Sequence, residues 1–275
     1  MPKKSRLKIS TFIVTLNKYK LGELFIKIII DYCISKNINE IYLTHFIENK
    51  DPLVYLIESY GFIKVGYNKR GEGIFIKNII PINKTGNIKN ANPQKILKLD
   101  ELYYPSFYDG KNVNKFIVPI KPSYHNKLFY NKQYALSEYN DNPITEKNAI
   151  KKAYISYSKI NSIVPGDILI FYRSMDLREL TNIGIVEEAV RLKTKEEIIK
   201  KISKRSVYTK NEINDKESLV ILFLSNFELK NHLKLDMLIN NKILKGPPQS
   251  IMQINNNAYK DIKEYGDIND DFTFC

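Results

Sequence analysis

Between Phe12 and Cys33 the chain reads FIVTLNKYKLGELFIKIIIDYC, an apolar strand that passes through a short basic turn with one glycine into an amphipathic helix. The hydrophobic pattern changes there from alternation to helical spacing, so a strand and a helix must pack as neighbours. Leu24, Phe25, Ile28, Ile29 and Tyr32 carry the helical spacing, which predicts a helix from about Gly22 to Lys36. Strands are expected over Leu7–Val14, Ile38–Phe46, Phe62–Tyr67 and Gly73–Ile79. A second helix is expected over Pro52–Ser59, with Pro52 suited to its first turn and Gly61 to its exit. NKRGEG, Asn68–Gly73, reads as a hairpin turn.

From Ile80 the pattern dissolves into Asn, Lys, Pro and Tyr, with no acid until Asp100, and a linker is expected over residues 81–114. Beyond it, strands are expected at Lys115–Ile120, Lys151–Ser158, Asp167–Arg173, Asn182–Leu192 and Ser218–Leu224. Helices are expected after the capping-box pair Thr194 and Glu197, over Lys234–Asn241, and from near Pro247. Short strands with few helices point to a compact barrel or strongly curved sheet. The expected class is α+β, with one unit over residues 1–80 and a second over 115–275.

Lys and Arg outnumber Asp and Glu 43 to 30 in 275 residues, a formal charge of +13. Such a surplus suits an anionic partner such as nucleic acid, a phosphorylated cofactor or an acidic surface, and it equally suits a lysine-rich solvated surface. Cys33 and Cys275 make neither a disulfide framework nor a thiolate metal site, and His45, His125 and His232 are scattered, so no metal is expected. Lys27 and Asp31 interrupt the most apolar helix, and no leader is read before the first strand; a cytoplasmic protein with no membrane span is expected.

The order of elements from Leu7 to Ile79 resembles the C-terminal half of a GNAT acetyltransferase: strand, pyrophosphate loop, long helix, strand, short helix ending in GF, and two final strands. The resemblance implies acetyl-CoA as a cofactor. Its pyrophosphate would lie on the amides of Asn17, Lys18, Lys20, Leu21 and Gly22, and its pantetheine arm along Ile13 and Val14. Of the loop consensus only Gly22 is present. The position of the family's tyrosine general acid is Ile57, which leaves Tyr55 and Tyr60 as neighbouring candidates, and His45 stands where the family places a base. Only six residues precede Leu7, so the family's acceptor-binding wall is absent from this stretch. Either another chain completes it, in a homo-oligomer or with a partner, or the half-fold is a scaffold.

In the second half, VPGDILIFYRS (Val164–Ser174) and NIGIVEEAV (Asn182–Val190) resemble the PUA-like superfamily, in particular its EVE and ASCH branches. VPIKPSYHNKLF before them and KGPPQSIMQI after them extend the match. The resemblance implies a β-barrel that binds RNA, or modified bases in RNA or DNA, in a pocket beside a rim formed by Tyr172, Arg173 and Ser174. Stacking a base on an aromatic ring contributes roughly 1–3 kcal/mol. The chain has no Trp, so the ring must be Tyr or Phe. Tyr172 equally suits a core position with a satisfied hydroxyl. Lys201, Lys204 and Arg205 on the basic helix, and Lys245 before Gly246, could hold phosphates or simply be solvated.

The sequence therefore reads as a nucleic-acid-binding protein, RNA before DNA, that carries an acetyl-CoA-binding half domain. An N-acetyltransferase acting on RNA or an RNA-associated protein is the alternative, and a non-catalytic regulatory interaction protein the second.

Overall fold

The computed structural model describes residues 5–10, 12, 21–80, 88, 91–129, 150–202, 205 and 207–275. Its first sheet is built by β1 (Leu7–Ile9), β2 (Glu40–His45), β3 (Ile63–Tyr67) and β4 (Gly73–Asn78) in the order β1-β2-β4-β3. β1 runs parallel to β2, and the other two pairs are antiparallel. Helix α1 (Leu21–Ser35) joins β1 to β2, and α2 (Pro52–Glu58) joins β2 to β3, as the spacing predicts. Asp51 starts α2 by accepting from the Leu53 and Val54 amides, with Pro52 preset for the first turn. Gly61 ends this connection at φ +79°, where a Cβ would meet the Leu102 carbonyl oxygen at 1.9 Å, so no side chain fits. Ile26, Ile30 and Cys33 of α1 pack with Ile41, Leu43 and Phe75 of the sheet.

Residues 91–114 of the expected linker form defined structure. Asn92 accepts from the Lys95 amide and caps α3 (Pro93–Tyr103), whose Ile96, Leu97 and Asp100 are buried. β5 (Phe107–Tyr108) follows. This segment is a joint between the two sheets: buried Lys77 donates to the Leu102 carbonyl, Ser106 to that of Ile79, and the Tyr104 hydroxyl to that of Ser225. Ile150 and Leu224 enter the same core as α1 and the first sheet.

The second sheet contains β6 (Lys115–Ile120), β7 (Lys151–Ser156), β8 (Ile168–Arg173), β9 (Glu179–Leu192), β10 (Ser218–Lys234) and β11 (Met252–Ile254), in the order β11-β6-β8-β9-β10-β7. Among its described strands β6 and β8 pair in parallel and the other pairs are antiparallel. Both faces are buried, which is why DILIFY is apolar at every strand position: Ile168, Ile170 and Tyr172 enter one core, Leu169 and Phe171 another. Helices α4 (Pro122–Leu128), α5 (Lys195–Ile202), α6 (Leu235–Asn240) and α7 (Asn256–Tyr265) flank the sheet, and β12 (Thr273–Phe274) pairs with β5. The predicted capping box opens α5, with Thr194 and Glu197 bonding each other's amides.

Two expectations are corrected. The helix placed near Pro247 begins only at Asn256, because Met252–Ile254 pairs with β6 instead. Among the described residues the barrel does not close by a ladder, since β11 and β7 are the sheet's two ends. The sheet curls until those ends approach: the Tyr154 hydroxyl of β7 donates to the Pro119 carbonyl of β6 at 2.7 Å. Register shifts in the long β9–β10 pair supply the bend.

Candidate functional site

A cleft of about 890 Å³ opens at the seam where the curled sheet fails to close. Pro119, Ile120 and Lys121 line one side, Tyr154 to Ser158 the other, with Ser174, Met175 and Arg178 from the β8–β9 turn and Gln249 to Ile251 from the approach to β11. The Ser250 hydroxyl donates to that of Ser158 and ties the two margins at one point. Five tyrosines, Tyr124, Tyr154, Tyr157, Tyr172 and Tyr208, contribute to the lining. The rings of Tyr124 and Tyr208 lie 4.8 Å apart. Burial pushes the Tyr154, Tyr208 and Tyr124 hydroxyls above the ordinary phenol range, so all three stay protonated at neutral pH.

Tyr172 is the distinctive member. It is 1% exposed, yet its hydroxyl is buried without a hydrogen-bond partner. An unsatisfied buried hydroxyl typically costs about 1–3 kcal/mol, and native structures keep few of them. At the mouth of the cleft, Lys121 and Arg178 are exposed and make no ion pair or side-chain hydrogen bond among the described residues. Lys216, on the loop that follows α5, stands with its ammonium 5.1 Å from the Tyr157 ring centroid.

The structure divides the expected rim. Tyr172 and Ser174 line the cleft, and the Ser174 hydroxyl donates to the Ile120 carbonyl at 3.0 Å. Arg173 does not line it, because neighbouring strand residues face opposite ways. Its buried guanidinium is held by Asp176, by Asn126 at 2.7 Å, and by His125 Nδ1 at 3.4 Å. On α5, Lys201 binds both carboxylate oxygens of Glu188 at 2.6 Å, and Arg205 just beyond binds Glu187 at 2.5 Å. Their charge is largely met within the protein. Lys204 lies outside the described residues, and Lys245 is exposed two residues before Pro247 of the lining.

Sequence reasoning missed Lys121, Arg178 and four of the tyrosines. The signal was available for Lys121, which sits between the prolines of PIKPS at a strand end, and for Tyr154 and Tyr157 in YISY. Arg178 lies in a turn at φ +52°, and nothing in its local sequence marks it.

In the first half, Ile13, Val14, Asn17, Lys18 and Lys20 lie outside the described residues. Leu21 and Gly22 form the start of α1, where buried Glu23 accepts from the Lys151 amide at 2.6 Å. A carboxylate therefore already stands at this helix N-terminus. His45 Nε2 is held by Asp51 at 2.8 Å. Burial pushes the Asp51 carboxyl up, but bonds from the Glu48 amide and His45 outweigh it and leave the group below its ordinary range. Tyr60 is buried, and burial together with nearby Glu23 raises its hydroxyl far above the ordinary value. Tyr55 is 63% exposed. His45, Tyr55 and Tyr60 are thus pinned, exposed and buried respectively, and no hydrogen bond joins any two of them among the described residues. No cluster of three metal-ligating side chains occurs among the described residues, and no helix there is long and apolar enough to cross a membrane.

No protein-family model matches this chain, and no curated protein matches it significantly in sequence. Several solved structures resemble part of it. The crystal structure of ASCH from Zymomonas mobilis is 10% identical with a TM-score of 0.41, over 55% of this chain and 94% of that one. A hypothetical protein from Leishmania major is 10% identical with a TM-score of 0.36, over 58% and 98%. Human THYN1, solved in complex with 5-methylcytosine containing DNA, is 10% identical with a TM-score of 0.34, over 57% and 99%. Scores at this level describe a similar course for part of the chain and assign no residue a role.

Proposed function

We propose that the chain binds nucleic acid by admitting a base into the seam cleft. The observation that carries this reading is the buried, unpartnered hydroxyl of Tyr172 in a cleft lined by four further tyrosines. A base edge supplies the missing hydrogen bond, and its flat face suits stacking on tyrosine. Lys121 and Arg178 at the mouth are placed to hold the flanking phosphates, a role the sequence had suggested for Lys201 and Arg205. RNA is the first expected ligand and DNA the second.

Fluorescence anisotropy with labelled RNA and DNA oligonucleotides, including pools with modified bases, tests the reading at low salt. Saturable binding that weakens in Lys121→Ala and Arg178→Ala is expected. If no pool binds the folded chain, the reading fails.

Acetyl transfer finds less support in the described residues. Glu23, in the first turn of α1, is committed to the Lys151 amide, and His45 and Tyr60 are committed to Asp51 and the core. Titration calorimetry with acetyl-CoA decides the matter: heat of binding that Gly22→Asp abolishes would restore the cofactor role.

A further inference from the structure

Tyr157 stands on the opposite side of the seam from Tyr172 and is 50% exposed. An exposed tyrosine is ordinary by itself. This one is held at both its tip and its ring by a single loop. Asn214 donates to its hydroxyl at 2.9 Å, and Lys216 sets an ammonium 5.1 Å from its ring centroid, within the usual ~6 Å reach of a cation–π contact. The rotamer is therefore fixed before any ligand arrives, and preorganisation of that kind lowers the entropic cost of binding. No other cleft tyrosine combines such exposure with such restraint: Tyr154 and Tyr172 are buried, while Tyr124 and Tyr208 pack on each other.

The cleft volume of about 890 Å³ lies near the upper end of the roughly 300–1,000 Å³ that holds a drug-sized ligand. A single base leaves much of that space empty. Resting on the base-binding reading above, we infer that the seam holds two successive nucleotides of a single strand. One base is buried against Tyr172, and its neighbour stacks on Tyr157, with Lys216 beside the linking phosphate. The strand crosses the seam from the β8 side to the β7 side, and a duplex cannot present both bases in this way without opening. The class of ligand is a single-stranded oligonucleotide, in preference to a free nucleotide or a double helix.

Isothermal titration of the full chain with a nucleoside 5′-monophosphate, the corresponding dinucleotide, and a short single strand with and without its complement tests this. The dinucleotide is expected to bind at least tenfold more tightly than the monophosphate, and annealing the complement is expected to weaken binding. Tyr157→Ala should erase the dinucleotide's advantage, costing the dinucleotide far more affinity than the monophosphate. Tyr157→Phe keeps the ring, loses only the Asn214 bond, and should retain most of the advantage. Equal affinity for monophosphate and dinucleotide in the native chain overturns the second station but leaves the base pocket standing. So does a Tyr157→Ala variant that weakens both ligands equally. Absence of binding by every ligand would remove the base-binding reading itself.

Discussion

The Tyr154 hydroxyl of β7 donates to the Pro119 carbonyl of β6 at 2.7 Å and directly links the two sides of the curled sheet. A ladder would have satisfied several backbone groups at this margin. Isolated side-chain bonds, this one and that of Ser250 to Ser158, leave the rest of the seam open, and the cleft occupies that opening. The failure of the barrel to close and the presence of a binding cavity are thus the same structural fact.

Replacing Tyr154 with Phe preserves the ring's packing on Phe171 and removes only the bond. Pro119's carbonyl then loses its side-chain donor at the seam, which should lower unfolding free energy by roughly 1–3 kcal/mol in urea titrations. An unchanged midpoint would show that the seam is held by packing alone.

Tyr172 should behave in the opposite sense. Its hydroxyl has no partner, so Tyr172→Phe removes a desolvated group and a melting temperature equal to or above the native one is expected. Oligonucleotide affinity should fall at least fivefold in the same variant, the equivalent of about 1 kcal/mol. A variant that is both destabilised and fully competent to bind would show the hydroxyl to be structural.

The two corners of the site were legible to different degrees for a physical reason. Strands such as DILIFYR and KFIVPI are apolar on both faces and announce themselves. The last ten residues of β10, NFELKNHLK and the serine before it, are mixed in polarity, so the expected strand stopped at Leu224, yet they complete the strand by pairing with β9. Helices α3 and α4 were missed, and α7 was placed too early, near Pro247, because their Asn- and Lys-rich turns face solvent and only short apolar sets such as Ile96–Leu97 and Tyr259–Ile262 are buried. Their caps were visible all the same: Asn92–Pro93 and Lys121–Pro122 both place proline at the first helical turn. The site itself was half visible. A strand-end motif located Tyr172 and Ser174, but whether a nearby cation is free or paired depends on distant acids, as Glu187 and Glu188 show.

That pairing gives a prediction in salt dependence. Lys121 and Arg178 are open to solvent, so removing both should reduce the slope of log affinity against log salt by roughly 1.4–1.8, at about 0.7–0.9 per phosphate contact. Lys201→Ala should change the slope far less, because its charge already answers Glu188. Binding measured from low to moderate salt separates the cases, and a larger effect from Lys201 would move the phosphate track to α5.

Asp100 supplies a stability test away from the cleft. It is fully buried; one carboxylate oxygen accepts from the Tyr108 amide at 2.7 Å and the other has no partner. Burial raises its carboxyl well above the ordinary value, a rise that the Tyr108 bond only partly offsets. The folded state therefore holds this proton where the unfolded chain releases it, and stability is lost as pH rises above the unfolded value of 3.8. Asp100→Asn keeps the acceptor and carries no charge. It should raise the melting temperature at pH 7 and lose that advantage near pH 4; no gain at pH 7 would mean the acid is better accommodated than its surroundings indicate.

His125 gives the opposite pH sign. Burial, then the Arg173 guanidinium, then His232 push its imidazole down from 6.5 to about 4, while Asp176 and a bond with Asn182 act more weakly the other way. The neutral ring fits its contacts: Nε2 donates to the Thr181 hydroxyl at 2.7 Å, which itself donates to the Phe171 carbonyl, and Nδ1 accepts from Arg173. As pH falls through 6.5 the unfolded chain takes a proton that the folded chain refuses, so stability present above 6.5 is lost progressively toward pH 4. The displacement corresponds to a ceiling of about 3 kcal/mol. His232 opposes it, because bonds to Glu228 and Glu179 outweigh its burial and raise its pKa, so folding gains stability as that ring protonates. His125→Gln retains a donor for Thr181 and cannot titrate. Urea midpoints measured between pH 4.5 and 7 should therefore fall less steeply with acid in His125→Gln than in the native chain, and His232→Gln should make the fall steeper. Identical profiles for His125→Gln and the native protein would show that His125 takes up its proton without disturbing the Arg173 network.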